Sequence, residues 1–134
     1  PLLMATMSGV EVNLMFPCKP DHPFVYWATL SYVGELIMAG ANCYTYDNGF
    51  LHAKGLSIDG KACCYGTANM DIRSFALNFE VNAMIFDQNI AGEMERIFRE
   101  DLKCCTRITK EMYKSRSVWI RFKEQISRLL SPVL

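Results

Sequence analysis

The stretch GFLHAKGLSIDGKACCYGTANMD, Gly49 to Asp71, decides how this chain is read. Two apolar runs, Phe50–Ile58 and Lys61–Tyr65, flank Asp59-Gly60. Asp-Gly between such runs is the strongest short-range hairpin signal, because both central positions of the tight turn need positive φ. The spacing therefore predicts a hairpin. In an extended arm, residues i and i+2 share a face, so His52 and Lys54 are expected to point the same way. An ammonium beside an imidazole is a poor core element, since desolvating it without a partner is costly. The pairing makes sense against a phosphate. Just past the returning arm, Gly66-Thr67-Ala68-Asn69 supplies a hydroxyl and a carboxamide able to donate to phosphate oxygens.

Downstream, "FEVNAMIFD" (Phe79–Asp87) alternates as a further strand. Asn78, Glu80 and Asn82 share one of its faces. Glu80 is the carboxylate expected to accept the N–H of His52 and fix its tautomer, leaving the other ring nitrogen free to attack. Upstream, "GVEVNLMFP" (Gly9–Pro17) reads as a strand stopped by proline. Phe24–Ala39 reads as a helix with Tyr26, Leu30, Val33 and Ile37 on one face, closed by Gly40. Ala41–Tyr46 is another strand. Thr67–Leu77 is irregular or a short helix, with Asp71 as its cap. From Asn89 the pattern is helical: Phe98, Leu102, Cys105 and Ile108 share one face, and Phe122, Ile126 and Leu129 another, with an interruption at Ser115–Ser117. This order predicts one mixed α/β domain, residues 1–134, with a mixed sheet flanked by helices. "PLLMATMSGV" reads like the tail of a helix, and the chain is expected to begin partway through a larger protein.

Composition narrows the class. The chain has 134 residues, 51% hydrophobic and 21% charged, enough for a real core and unlike a disordered protein. No apolar run approaches the roughly 20 residues that span a bilayer. The six cysteines include vicinal pairs but no C-x-x-C, which argues against a zinc site and for reduced thiols. Net charge is zero but unevenly spread: −6 up to Leu102 and +6 from Lys103 onward. A basic C-terminal segment suits a phosphate-bearing surface or simply a solvated helix face.

His52-x-Lys54-x4-Asp59, followed by Gly66-Thr67-x-Asn69, resembles the HKD signature of the phospholipase D superfamily. With "GTANMDIRSFALNFEVNAMIFD", the lead-in "PCKPDHPFVYWATLSYVGELIMAGANCYTY" and the closing "RFKEQISRLLSPVL", the chain looks like the C-terminal HKD domain of bacterial cardiolipin synthases. The resemblance implies a phospholipase D-like α-β-α sandwich and a phospholipid-biosynthetic transferase associated with the cytoplasmic membrane. It implies two-step transfer between two phosphatidylglycerols through a phosphohistidine, giving cardiolipin and glycerol.

In that scheme His52 is nucleophile or general acid, Lys54, Thr67 and Asn69 hold the phosphate, and Glu80 orients His52. Asp59 carries the D of the signature, although Asp-Gly is also what the turn demands. No cofactor or metal is implied, since cationic and amide donors stabilise the charge. The chemistry uses two HKD motifs and only one is present. The expected partners are therefore an N-terminal HKD half of the same enzyme or a homodimer mate, together with phosphatidylglycerol and an anionic membrane surface, and no nucleic acid. A single-HKD homodimeric nuclease and an inert half-domain are the alternatives. His22, a lone loop histidine, is expected to be structural, while Arg73 and Ser74 are either substrate contacts or the start of a surface helix.

Overall fold

The computed structural model describes residues 1–18 and 23–130. His22 and the tail 131–134 lie outside the described residues, as does the side chain of Arg73. In chain order the elements are α1 (Leu2–Met7), β1 (Asn13–Pro17), α2 (Pro23–Ala39), β2 (Asn42–Tyr46), β3 (Gly55–Ile58), β4 (Ala62–Gly66), α3 (Ile72–Ala76), β5 (Asn82–Ile85), α4 (Gln88–Asp101), β6 (Cys105–Ile108), α5 (Lys110–Lys114) and α6 (Val118–Leu130). A single 3-10 turn, Leu102–Cys104, joins α4 to β6. The mixed α/β class is as expected from the sequence. The strands divide between two three-stranded sheets, β1-β2-β6 and β3-β4-β5. The chain forms two compact units, Pro1–Leu51 with Cys105–Leu134, and His52–Cys104.

In the first unit, β1 and β2 run parallel with Leu14 beside Cys43, and β6 runs antiparallel to β2 with Ile108 beside Cys43. Parallel neighbours require a crossover, and α2 supplies it. Its buried Val33 and Ile37 pack with Phe16, Ala41 and Cys43, and Leu14, Leu30 and Ile108 close the cluster. Complete burial of a side chain such as Ile37 contributes about 1.5–3 kcal/mol. Burial also pushes the Cys43 thiol up to about 11, which keeps it protonated and unreactive.

β6 corrects the expectation that one helical face runs from Phe98 to Ile108. The helix stops at Asp101, and Cys105–Ile108 pairs with β2 instead. The first strand, the first hairpin arm and the strand predicted over Phe79–Asp87 are also shorter than expected, starting at Asn13, Gly55 and Asn82, so Glu80 lies just ahead of β5 rather than on its face. Residues 50–54 are irregular.

In the second unit, β3 and β4 form the hairpin, with Gly55 opposite Tyr65 and Ile58 opposite Ala62. Asp59 has φ +50° and Gly60 φ +61°, the two positive values that a tight hairpin turn requires. β5 pairs antiparallel to β4, with Gly66 opposite Asn82. Helix α4 packs on β3 and β4 and buries Ala91. Asp87 starts it, accepting the N–H groups of Asn89 and Ile90.

Candidate active site

Of the predicted site residues, Lys54, Thr67, Asn69 and Glu80 gather at one end of the β3-β4-β5 sheet, and register explains why. The Gly66 N–H donates to the Lys54 carbonyl at 3.3 Å, one step beyond the last β3–β4 pair. On the other side of β4, Gly66 faces Asn82, and the Thr67 N–H donates to the Val81 carbonyl at 2.9 Å. Lys54, Thr67 and Glu80 are thereby brought to the same sheet end by backbone pairing alone. Gly66 is required there by space. A Cβ on it would lie 2.1 Å from the Val81 carbonyl oxygen and 2.6 Å from the Asn82 Cα, both backbone atoms that cannot give way.

The Glu80 carboxylate is the most heavily engaged group at this end. Its Oε1 accepts from the Ser74 hydroxyl and from Asn78 Nδ2, each at 3.3 Å. Thr67 is the foremost of the influences holding the carboxyl below its usual range, with Asn78, Ser74 and the positive charge of Lys54 adding to it, while the Thr67 hydroxyl donates to the Val81 carbonyl at 3.4 Å. A carboxylate has about four lone-pair positions, so the donors on Oε1 leave room for another. The Thr67 hydroxyl itself accepts the Val81 N–H at 3.0 Å, so its oxygen is tied to the residue just ahead of β5.

Ser74 is buried at the foot of this cluster, 6% exposed. It ties the Asn69 loop to Glu80, since its hydroxyl accepts the Asn69 N–H at 3.1 Å. Its own N–H donates to Asp71 Oδ1 at 2.7 Å, the helix cap expected from the sequence. The sequence placed Ser74 beside the signature without indicating that its hydroxyl faces inward.

His52 is exposed and lies in the irregular segment ahead of β3, so the two-residue period of a strand does not govern it. What links it to Lys54 is a long contact of 3.5 Å from Lys54 Nζ to the His52 carbonyl. Asp59 sits at the far end of the hairpin, roughly 15 Å along the strand from Lys54. There its positive φ serves the turn. Asn69 is exposed at the mouth of the cluster.

Lys54, Thr67, Asn69 and Glu80 thus lie about one end of the β3-β4-β5 sheet, with His52 in the segment that leads into it. The family described as "Cardiolipin synthase, PLD-like domain" matches residues 1–102, and the chain belongs to it. The chain is 56% identical over 133 residues to the major cardiolipin synthase ClsA of Bacillus subtilis, covering 99% of this chain and 28% of that protein. It is 55% identical over 133 residues to cardiolipin synthase 1 of Staphylococcus epidermidis, and 56% over 131 residues to a cardiolipin synthase of Staphylococcus aureus. Those alignments cover 99% and 98% of this chain, and 27% and 26% of the relatives. The chain thus spans less than a third of the length of the curated relatives it matches.

Proposed function

We propose that the complete protein is a phosphatidyltransferase of cardiolipin synthase type, and that residues 1–134 form one of its two HKD domains. The observation that carries this reading is the convergence of Lys54, Thr67 and Glu80 at one sheet end, beside His52 and Asn69, in a chain of this family. A ring nitrogen of His52 attacks the phosphorus of one phosphatidylglycerol. The bond from phosphorus to the glycerol oxygen breaks, and the departing oxygen takes a proton from the histidine of the second HKD domain. The hydroxyl of a second phosphatidylglycerol then attacks the phosphohistidine. It returns its proton to that second histidine as the phosphorus–nitrogen bond breaks, and cardiolipin is formed. His52 and its counterpart can exchange these roles.

Lys54 and Asn69 meet the non-bridging oxygens, Glu80 uses its remaining lone pair to orient His52, and Thr67 holds Glu80 while lying at the rim of the phosphate site. Asp59 contributes through the turn that sets Lys54 across from Gly66. The need for a second domain is supported by apolar side chains left open around Glu80. Phe75, Leu77, Phe79 and Val81 are all more than two-thirds exposed, a patch of the kind that marks an interaction surface.

The decisive experiment is a thin-layer assay of the full-length protein on phosphatidylglycerol vesicles, with a DNA nuclease assay alongside. Cardiolipin and free glycerol, with no DNA cleavage, are expected. DNA cleavage without cardiolipin would replace this reading with the homodimeric nuclease.

A further inference from the structure

Helix α6 is built the wrong way round for a helix that serves only its own core. At 100° per residue, Val118, Trp119, Phe122, Ile126, Leu129 and Leu130 occupy one arc of roughly 120°. That arc faces outward: Val118 is 79% exposed, Trp119 74% and Leu129 81%. The opposite face, which packs on α2, buries the polar residues Glu124 and Ser127. The charged groups of the inward face are paired, while the buried Ser127 hydroxyl has no hydrogen-bond partner among the described residues. Arg116 bonds to Glu124, and Arg128 reaches across to Glu35 of α2 at 2.5 Å.

Cations flank the outward arc. Lys123 lies on one side, with its ammonium 5.0 Å from the centre of the Trp27 ring. On the other side Gln125 borders the arc and Arg121 lies roughly 60° beyond Val118, bonded to the carbonyl of Lys114 in α5. Within the arc, Trp119 and Phe122 pack edge to face, with ring centres 6.4 Å apart. Aromatic and aliphatic side chains flanked by lysine and arginine are the composition of a helix that lies in a membrane interface.

We infer that α6 docks this domain on an anionic phospholipid surface, its Trp119–Phe122 stripe entering the acyl boundary while Arg121 and Lys123 meet the headgroups. A second copy of the chain fits the arc poorly. Thirteen helical residues make a strip roughly 20 Å long and 10 Å wide, far short of the ~800 Å² per partner in a stable interface. The basic flanks would also repel their own copies. The inference rests on the proposed function only in the choice of phosphatidylglycerol as the anionic lipid.

The test is vesicle binding by the full chain, with phosphatidylglycerol vesicles compared to neutral phosphatidylcholine ones, for the wild type, Trp119→Glu/Phe122→Glu and His52→Ala. Binding at least tenfold tighter to the anionic vesicles is expected, with the double variant losing at least tenfold at an unchanged circular dichroism spectrum. His52→Ala should bind as the wild type does, whether or not the protein makes cardiolipin, which separates this surface from the catalytic reading. In a Trp27→Phe background, Trp119 fluorescence should shift to the blue on binding, a readout that needs no charge-bearing variant. Equal binding by the double variant, equal affinity for neutral vesicles, or an unshifted Trp119 spectrum would overturn the inference.

Discussion

The Ser74 hydroxyl donates to Glu80 Oε1 while accepting the backbone N–H of Asn69, so one buried oxygen sets both the carboxylate and the loop at the proposed site. Ser74→Ala removes that tie and leaves the Asn69 N–H without its acceptor. In the complete enzyme, kcat should fall by roughly tenfold or more, the scale on which small misplacements of catalytic groups are felt. KM should change little, because Ser74 itself meets no substrate. A loss confined to KM would contradict the role assigned to it.

Glu80 gives that variant a second readout. Its hydrogen bonds favour the charged form and hold the carboxyl below the ordinary value of about 4.3. A carboxyl lowered by folding lends stability above its unfolded pKa, and that stability is lost as pH falls through the folded one. The Glu80 carboxyl itself should therefore stay ionised below the ordinary carboxylate range, and Ser74→Ala should move its titration, followed by carboxyl NMR, upward. A Glu80 titration that stays put in the variant would mean that the Ser74 hydroxyl does not hold the carboxylate.

The part of this network that the sequence displays is the part set by local chemistry. Asp59-Gly60 announced the hairpin, and Asp71 announced its cap, since each needs only its own neighbours. The rest depends on distant partners. Phe98, Leu102, Cys105 and Ile108 satisfy helical spacing, yet Cys105–Ile108 finds its mate in β2, some sixty residues earlier. The period of α6 shows that Phe122, Ile126 and Leu129 share a face but carries no information on whether that face points in or out. Likewise, a serine near the start of a helix gives no sign that a carboxylate from the segment ahead of the next strand will lie over it.

His52→Ala should abolish transfer, a drop of at least ~10³-fold for loss of a nucleophile or general acid. Its exposed position outside any regular element predicts a melting temperature within a few degrees of wild type. The same two-histidine chemistry predicts that residues 1–134 alone turn over phosphatidylglycerol negligibly. Robust turnover by a demonstrated monomer in analytical ultracentrifugation would refute the need for a second HKD domain.

The D of the signature should behave as a turn residue. Gly60→Ala places a Cβ at φ +61° and within 3.1 Å of Glu95 Oε2, and should cost about 1 kcal/mol in urea unfolding. Asp59→Asn, which tolerates positive φ equally well, should leave both stability and kcat close to wild type. A large kcat loss in Asp59→Asn with unchanged stability would instead place Asp59 in the chemistry.

The Arg116–Glu124 pair offers a pH-resolved test of the first unit. Burial pushes the Glu124 carboxyl up, and Arg116 pulls it only part of the way back. A carboxyl raised by folding is better protonated in the native state, so its contribution declines as pH rises from the unfolded value through the folded one. Arg116→Met takes away the counter-charge and should raise the carboxyl further. At pH 7.5 the loss should approach the ~3–5 kcal/mol typical of a buried charge left without its partner. At pH 4.5 it should be clearly smaller, because Glu124 can then fold neutral. Arg116→Met/Glu124→Gln should recover much of the difference at pH 7.5. A loss equal at both pH values would point elsewhere, to the stacking of the Arg116 guanidinium 3.2 Å over the Tyr113 ring.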